Sequence, residues 1–250
     1  EQETKMPKSA EQFVESLDEL ALIVKTVDAD MGIAIDPQGT KMWVTDDTGR
    51  VLTDMELAYL FSLLTVRSRD SRNVAMPSYM PSVFTQSLTA NGATVYRARA
   101  NARSLADLAR TSKSSISSDL VGGFIFPNLH NGFDAIFGAA KFTELVARDA
   151  APLSQLAQLV PEHHLLFDTV PCPWELKGQA MRELLSKLDD PTVETYDGYR
   201  RSFGDAWYMV LPDPVHPSFM IYAEGATGAE AERMLSAARE EIVAEMRKNV

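Results

Sequence analysis

Apolar positions repeat with helical spacing in several stretches of the chain, and three predicted helices open with the spacing of a capping box. The three boxes are Ser9 with Gln12, Thr53 with Glu56, and Thr227 with Glu230. They predict helices that end near residues 25, 67 and 246. Further helices are predicted at 81–90, 104–110, 132–148, 153–159 and 174–188, and the first eight residues are predicted to be a linker.

Short runs rich in apolar and β-branched residues, bounded by turn residues, predict strands. These strands are 31–36, 41–45, 73–76, 94–97, 123–126, 165–170, 199–203, 207–211 and 218–223. Strands that alternate with helices between about 51 and 150 indicate a parallel α/β layer, and the Ser-rich run 111–118 is predicted to be a polar loop. Grouped strands with flanking helices in the last third indicate an α+β domain.

Composition narrows the class of protein. A chain of 250 residues with 45% hydrophobic content is typical of globular proteins with one large domain or two ordinary ones. The net charge is −11, from 24 basic and 35 acidic residues, which argues against a general nucleic-acid binder and against electrostatic docking on an anionic membrane. No run of 18 apolar residues predicts a membrane span.

Cys172 is the single cysteine, so an internal disulfide and a cysteine-based zinc site are excluded. This cysteine count favours a reducing compartment, most simply the cytoplasm. The thiol lies between two prolines with no base nearby in sequence, which predicts an unreactive cysteine. The chain does not begin with Met, and we expect it to be part of a longer polypeptide.

Familiar enzyme signatures are absent, including the phosphate-binding P-loop, the dinucleotide fingerprint and the nucleophile elbow. Asp28 and Asp30 lie in a predicted turn, where two carboxylates can chelate Mg²⁺ or simply form the turn. Gly122 and Gly123 permit close approach of a ligand or a bend before a strand. The loop 212–217 contains three prolines without N–H groups, so it is poorly suited to holding a phosphate.

Taken in order, these pieces resemble the phosphohexomutase superfamily of phosphoglucomutases and phosphomannomutases. Those enzymes have four domains, with a serine loop in the first, a metal loop Asp-x-Asp-x-Asp-Arg at the end of the second, a sugar loop Gly-Glu-x-Ser-Gly-His in the third and a phosphate loop Arg-x-Ser-Gly-Thr in the fourth. Residues 27–36 and 44–52 resemble the metal loop and the strands after it. Residues 118–127 resemble the sugar loop, and residues 197–203, 207–214 and 221–224 resemble the phosphate-loop region.

The metal loop departs from the family pattern. Thr26 stands at the first Asp position and Met31 at the Arg position, which leaves Asp28 and Asp30. Losing one of three carboxylates weakens binding of Mg²⁺, because that affinity depends on ligand charge. The resemblance therefore implies at most a vestigial Mg²⁺ site at these two residues.

The sugar and phosphate loops depart further. Asp119 replaces Glu, Val121 replaces Ser and Gly123 replaces His in the sugar loop, whereas Leu211 replaces Arg and Asp213 replaces Ser in the phosphate loop. An anionic Asp repels phosphate, and the bidentate Arg donor is missing. No stretch resembles the serine loop, so we expect the chain alone to be unable to transfer phosphoryl groups.

The resemblance implies a tail of mutase domain 2 at 1–50, an α/β/α mutase domain 3 at 51–160 and a C-terminal α+β mutase domain 4 at 161–250. The vestigial sugar site would comprise Asp119 with Gly122 and Gly123, and the vestigial phosphate site Arg200 and Arg201 on the preceding strand. These residues give the candidate binding positions for a sugar phosphate, if one binds.

The same pattern of loss is similar to that of bacterial proteins in which a mannose-1-phosphate guanylyltransferase is fused to a decayed phosphomannomutase-like half. This resemblance implies a non-catalytic module with a structural or regulatory role, whose partner is an upstream nucleotidyltransferase domain or a second copy of itself. Two alternatives stay open at this point: a mutase fragment active only with a separate serine domain, and an oligomerisation scaffold.

Overall fold

The computed structural model describes residues 10–68, 72–186 and 192–247. The predicted cap at Ser9, the predicted linker and the last two residues of the helix predicted at 174–188 lie outside these ranges. The helices are α1 Ala10–Val27, α2 Asp54–Arg67, α3 Ser82–Ala90, α4 Ala102–Thr111, α5 Ala135–Asp149, α6 Leu153–Leu156, α7 Trp174–Leu185 and α8 Gly228–Arg247. No helix of the described ranges is long and apolar enough to cross a membrane.

The strands follow the predicted order with three additions. They are β1 Met31–Ile35, β2 Met42–Asp46, β3 Asn73–Pro77, β4 Thr94–Ala98, β5 Ile116–Ser118, β6 Phe124–Phe126, β7 His130–Phe133, β8 Leu165–Pro171, β9 Val193–Glu194, β10 Tyr199–Phe203, β11 Ala206–Pro212 and β12 Ser218–Glu224. The additions are β5, β7 and β9. The chain thus combines an α/β part with an α+β part, as the sequence predicts.

Two compact units divide the chain. The first comprises Glu1–Pro77 and Phe84–Pro161, and the second comprises Ser78–Val83 and Glu162–Val250. The β1–β2 hairpin shares the first unit with the sheet that follows it. The three-domain division at 1–50, 51–160 and 161–250 stays a prediction.

The sheet of the first unit has the strand order β4-β3-β5-β6-β7. In this sheet β3 pairs parallel with both β4 and β5. The pairs β5–β6 and β6–β7 are antiparallel, so the prediction of a parallel layer is correct for part of the sheet. The links that precede β6 and β7 are too short for the crossover that a parallel pair needs. The predicted helix at 132–148 accordingly begins only at Ala135, where Asp134 caps α5.

The core of the first unit surrounds α2, whose residues 57–66 are all buried. The ring of Phe61 packs against Phe124, Phe126 and Phe142 at centroid distances of 5.0, 5.6 and 5.1 Å. A helix that is buried on all sides carries apolar residues around its whole circumference, which is why its sequence shows little amphipathic pattern. The capping box at its start is confirmed, since Thr53 and Glu56 each accept the other's backbone N–H.

In the second unit a fully antiparallel sheet has the order β8-β12-β11-β10-β9. Its core includes apolar residues of the strands together with residues of α7 and α8, among them Tyr199, Phe219, Ile221 and Ile242. Because side chains alternate along a strand, the neighbours of these residues point to the other face of the sheet. That second face carries Trp207 and Glu224, which contact the segment Ser78–Val83 of the same unit.

Candidate functional site

The three loops that resemble family motifs, or lie beside them, share one feature: each is closed by an aspartate of its own. These loops are the 36–41 turn, the 118–123 loop and the 212–217 loop. In each, the carboxylate accepts hydrogen bonds from N–H groups of the same loop. Each loop therefore satisfies with an internal anion the donors that a bound ligand could otherwise use.

The 36–41 turn joins β1 to β2. Asp36 accepts hydrogen bonds from the backbone N–H groups of Thr40 and Lys41 at 2.6 and 2.9 Å, and from the Thr40 hydroxyl at 2.8 Å. Gly39 takes the left-handed conformation that lets the turn close, with φ +70°. Burial acts against the charge of Asp36, but the hydrogen bonds prevail and hold the pKa of this carboxyl below its usual value.

Asp119 closes the 118–123 loop. One of its oxygens accepts hydrogen bonds from the backbone N–H groups of Val121 and Gly123 at 2.9 and 2.8 Å. A Cβ atom at Gly123 would lie 2.6 Å from the other oxygen of Asp119, and one at Gly122 would lie 3.1 Å from the Met42 carbonyl oxygen. Both glycines thus have a packing role in the closed loop, which explains them without a ligand.

The 36–41 turn and the 118–123 loop meet in the first unit. Met42 donates its backbone N–H to the Gly122 carbonyl at 3.0 Å, and Lys41 forms an isolated antiparallel bridge with Gly123. Asp54 lies close by: burial raises its pKa and the charge of Asp119 adds to the rise, while Lys41 and a hydrogen bond from the Trp43 side chain oppose it. A cation and two carboxylates are thereby brought together.

Sequence reasoning missed Lys41 and Asp54. The capping box places Asp54 in the first turn of α2, but only the fold brings it near the 118–123 loop. The family's metal motif can also be laid on residues 36–41, where Asp36 keeps the first Asp position and Lys41 supplies the terminal cation. Gln38 and Thr40 then stand at the other two Asp positions, so this register retains one carboxylate.

Asp28 and Asp30, the predicted metal residues, flank the end of α1 and the start of β1. Asp28 has φ +54°, and Asp30 lines a cavity of about 460 Å³ together with Asp47, Val146 and Leu153, among others. Asp47 accepts hydrogen bonds from the N–H and hydroxyl groups of Ser154. In the described ranges no group of three His, Cys, Asp or Glu side chains is placed to hold a metal ion. The residues present do not fit a Mg²⁺ site of the family type.

The 212–217 loop is closed most completely. Asp213 accepts hydrogen bonds from the backbone N–H groups of Val215 and His216 at 2.8 and 3.0 Å, and it lies 3.1 Å from the His216 Nδ1 atom. These hydrogen bonds lower the pKa of Asp213 to about 2. Its own N–H is donated to the Ser218 carbonyl. Since the three prolines have no N–H, every backbone donor of this loop has a partner within the loop or beside it.

Lys177 holds the same loop from α7. Its ammonium nitrogen donates to the carbonyl oxygens of Asp213 and His216, each at 2.6 Å, and lies 3.7 Å from the centre of the Trp174 ring. Only 6% of Lys177 is exposed. Lys177 therefore holds two carbonyls of the loop, while Asp213 holds two of its N–H groups.

Arg200 and Arg201, predicted to lie near the phosphate loop, point to opposite faces of the sheet. The Arg200 guanidinium lies 3.9 Å from the centre of the Trp207 ring and donates to the Ser78 carbonyl at 3.3 Å. Arg201 lies on the side of α8, with a nitrogen 3.7 Å from a Glu241 oxygen. Adjacent residues of a strand diverge in this way, and the structure does not bring the two arginines together around one anion.

Comparison with known proteins agrees with this architecture. No protein-family profile matches the chain. It is 29% identical over 233 residues to a protein of Methanocella arvoryzae named a probable phosphoglucosamine mutase, an alignment that covers 92% of the chain and 52% of that protein. A protein of Methanopyrus kandleri with the same name is 27% identical over 238 residues, with 94% and 52% covered.

Solved structures give the same fold. A phosphoglucomutase/phosphomannomutase family protein of Burkholderia thailandensis superposes with a TM-score of 0.76 at 19% identity, covering 92% of this chain and 50% of that one. The Aspergillus fumigatus N-acetylphosphoglucosamine mutase, solved with GlcNAc-6P and magnesium, superposes with a TM-score of 0.62 at 12% identity over 90% and 52% of the two chains.

The chain therefore has the fold of the C-terminal domains of the phosphohexomutases. Its sequence relatives are named phosphoglucosamine mutases, and it spans about half the length of those relatives. The two sequence relatives named here are archaeal, while the origin of the chain in a bacterial fusion protein stays a prediction.

Proposed function

We propose that this phosphohexomutase-like chain is a non-catalytic module with a structural or regulatory role in carbohydrate metabolism. The observation that carries the proposal is the closure of the 212–217 loop by Asp213. The family motif places a Ser at this position and an Arg two residues earlier, whereas here the Arg position holds Leu211, which is 5% exposed. An anion occupies the loop's N–H groups, and the motif position that would supply a bidentate guanidinium carries an apolar side chain instead.

Charge strengthens this reasoning. The lowered pKa of about 2 keeps Asp213 ionised at neutral pH. A phosphate that approached the loop would meet a negative charge and would find the Val215 and His216 N–H groups already engaged. Phosphoryl transfer depends on positioning the phosphate and neutralising its charge, so a loop of this kind contributes neither.

The closed 36–41 turn and 118–123 loop support the same proposal. Both carboxylates are engaged with backbone N–H groups, and Val121 and Gly123 stand where the family's sugar loop has a hydroxyl and an imidazole. We infer that the module acts in the cytoplasm as part of a sugar-nucleotide synthase of the mannose-1-phosphate guanylyltransferase type. Its partner would be the nucleotidyltransferase domain or a second copy of the module.

A second candidate is a phosphohexomutase fragment that works only with a separately supplied serine domain. The names of the relatives, which align with more than 90% of the chain, favour this candidate. So does the cluster of Lys41, Asp54 and Asp119, which keeps polar chemistry next to the sugar loop. In this case Mg²⁺ and a sugar phosphate would bind in the assembled enzyme.

Isothermal titration calorimetry separates the two candidates. We expect no binding of mannose 1-phosphate or glucose 1-phosphate at micromolar concentrations, with or without Mg²⁺. Micromolar, Mg²⁺-dependent binding would overturn the non-catalytic proposal. The double variant Leu211→Arg with Asp213→Ser restores two motif positions, and a gain of phosphate binding by this variant would identify the loop as the cause of the loss.

The gene provides an independent test of the partner. A nucleotidyltransferase encoded in frame upstream of Glu1 would agree with the fusion. A serine-loop mutase domain at that place would rule out the fusion and favour an active mutase whose serine domain belongs to the same polypeptide. Analytical ultracentrifugation tests self-association, which a strict monomer at high concentration would exclude.

A further inference from the structure

Positive charge is concentrated in one part of this acidic chain. Residues 72–118 contain six basic residues and one acidic residue, a net charge of +5, which leaves −16 for the remainder of a chain whose total is −11. The basic residues are Arg72, Arg97, Arg99, Arg103, Arg110 and Lys113, and all six are exposed. The total charge therefore conceals a basic surface on the first unit.

This surface contains an edge strand. β4 lies at the end of the sheet of the first unit, and in the described ranges it pairs with β3 alone. It is five residues long and has no Pro and no bulge, two of the features that usually protect an edge from further pairing, and its one charged residue, Arg97, disfavours a basic partner but not an acidic one. An extended peptide can add to such an edge through main-chain hydrogen bonds.

Basic side chains lie at both ends of β4. Arg97 is in the strand, Arg99 follows it, and Arg103 is in the first turn of α4. At the other end Arg72 accepts the Thr94 N–H with its carbonyl at 2.7 Å, and its guanidinium lies beside the turn at Gly92, where a Cβ atom would be 3.4 Å away. A segment paired with β4 would pass between these cations.

We propose that β4 and the arginines around it form a docking surface for an acidic, extended polypeptide segment, which adds to the sheet as a further strand. Main-chain pairing supplies the attachment, and acidic side chains of the segment supply selectivity. A nucleic acid offers no backbone N–H and C=O groups for the edge, so it cannot add to the sheet as a strand. A short peptide stays within the range of the basic groups, because charges are screened beyond about 8–10 Å at physiological salt.

This proposal goes beyond the proposed function and does not depend on it. It is tested by fluorescence anisotropy with the full chain and a labelled synthetic peptide of about nine residues, a length typical of strands, in which Glu alternates with Val. Two matched peptides serve as controls: one has Gln in place of Glu, and one is N-methylated at every amide. We expect saturable binding of the Glu peptide that weakens as salt rises, and at least tenfold weaker binding of both controls.

Variants of the protein complete the test. Arg97→Glu with Arg99→Glu is expected to weaken binding at least tenfold, whereas the control Arg182→Glu with Arg233→Glu, which makes the same change of charge in the second unit, leaves it unchanged. Absence of binding at low salt, or equal binding of the N-methylated peptide, would overturn the proposal. It would also be overturned if a single-stranded oligonucleotide of equal charge bound more tightly and displaced the peptide. The peptide controls use the unaltered protein, so the outcome does not require the variants to fold.

Discussion

Replacing Lys177 with Met tests whether the 212–217 loop is held closed from α7. Met keeps most of the length and the apolar volume of Lys but removes the ammonium group. The variant leaves the Asp213 and His216 carbonyl oxygens without the donor that now lies 2.6 Å from each. It also removes the cation from its place 3.7 Å from the centre of the Trp174 ring.

The size of the effect follows from these contacts. Hydrogen bonds that involve a charged group contribute roughly 1.5–3 kcal/mol each, and the aromatic contact adds about 0.5–1 kcal/mol at a half-exposed ring. The cost of burying the ammonium group, several kcal/mol in proteins, offsets most of this gain. We expect the variant to lower the free energy of unfolding by about 2 kcal/mol, a value typical of a lost buried hydrogen-bond network.

Urea unfolding followed by tryptophan fluorescence measures this difference, and amide hydrogen exchange at Val215 and His216 reports on the loop itself. Exchange at these two amides is expected to accelerate more than exchange in the strands. Arg182→Met is the matched control, since it removes an exposed charge from the same helix. If the Lys177 variant unfolds within about 0.5 kcal/mol of the wild type, as surface substitutions do, and the two amides keep their protection, the loop does not depend on Lys177.

Three further predictions concern other parts of the chain. Carbon-13 NMR should show the Asp213 carboxyl titrating near pH 2, because the hydrogen bonds that it accepts favour its ionised form. These bonds stabilise the folded state above the usual pKa of 3.8, and the contribution is lost as the pH falls from about 4 to 2. A titration midpoint at or above 3.8 would contradict closure of the loop. The raised pKa of Asp54 makes its ionisation costly to the folded state. The variant Asp54→Asn should therefore gain stability relative to the wild type in urea unfolding as the pH rises above the usual pKa of 3.8, and a pH-independent difference would contradict the assignment. Gly198 and Gly204 have nearly equal φ values of +69° and +68°, but a Cβ atom at Gly198 would overlap the Val210 carbonyl oxygen and lie 2.6 Å from Leu211 Cδ2, while one at Gly204 would meet nothing within 4 Å. Ala at Gly204 should therefore cost about 1–2 kcal/mol in the same assay, Ala at Gly198 clearly more, and equal losses would show that the contact is unimportant.

Elements with a local signal could be predicted from the sequence. The capping box at Thr53 fixed the start of α2 correctly, because its two hydrogen bonds depend only on residues three apart. The strand at 199–203 was predicted with its observed bounds. By contrast, the sequence predicts a polar loop where β5 lies, since Ser117 and Ser118 are typical of loops and their burial depends on the strands that the fold places on both sides.

In the candidate site, too, the sequence predicts only what depends on local residues. Substitution of the motif residues, such as Leu211 for Arg, is visible in the sequence. Closure of the loops is not, because it depends on backbone conformations and on partners distant in sequence, such as Lys177, 36 residues before Asp213. Arg200 and Arg201 point to opposite faces of the sheet, so they cannot form one site. Unlike the loop closure, this divergence could have been predicted from the alternation of side chains along a strand.

Cys172 provides an experimental consequence of the way the second unit is built. Its side chain is fully buried, burial raises the pKa of its thiol, and its N–H is donated to the Pro217 carbonyl at 2.7 Å, at the end of the 212–217 loop. The chain contains no other cysteine, so the reaction with a thiol reagent reports on Cys172 alone. The rate of Cys172 labelling in the native protein therefore reports how often this unit opens. The measurement requires no knowledge of the ligand.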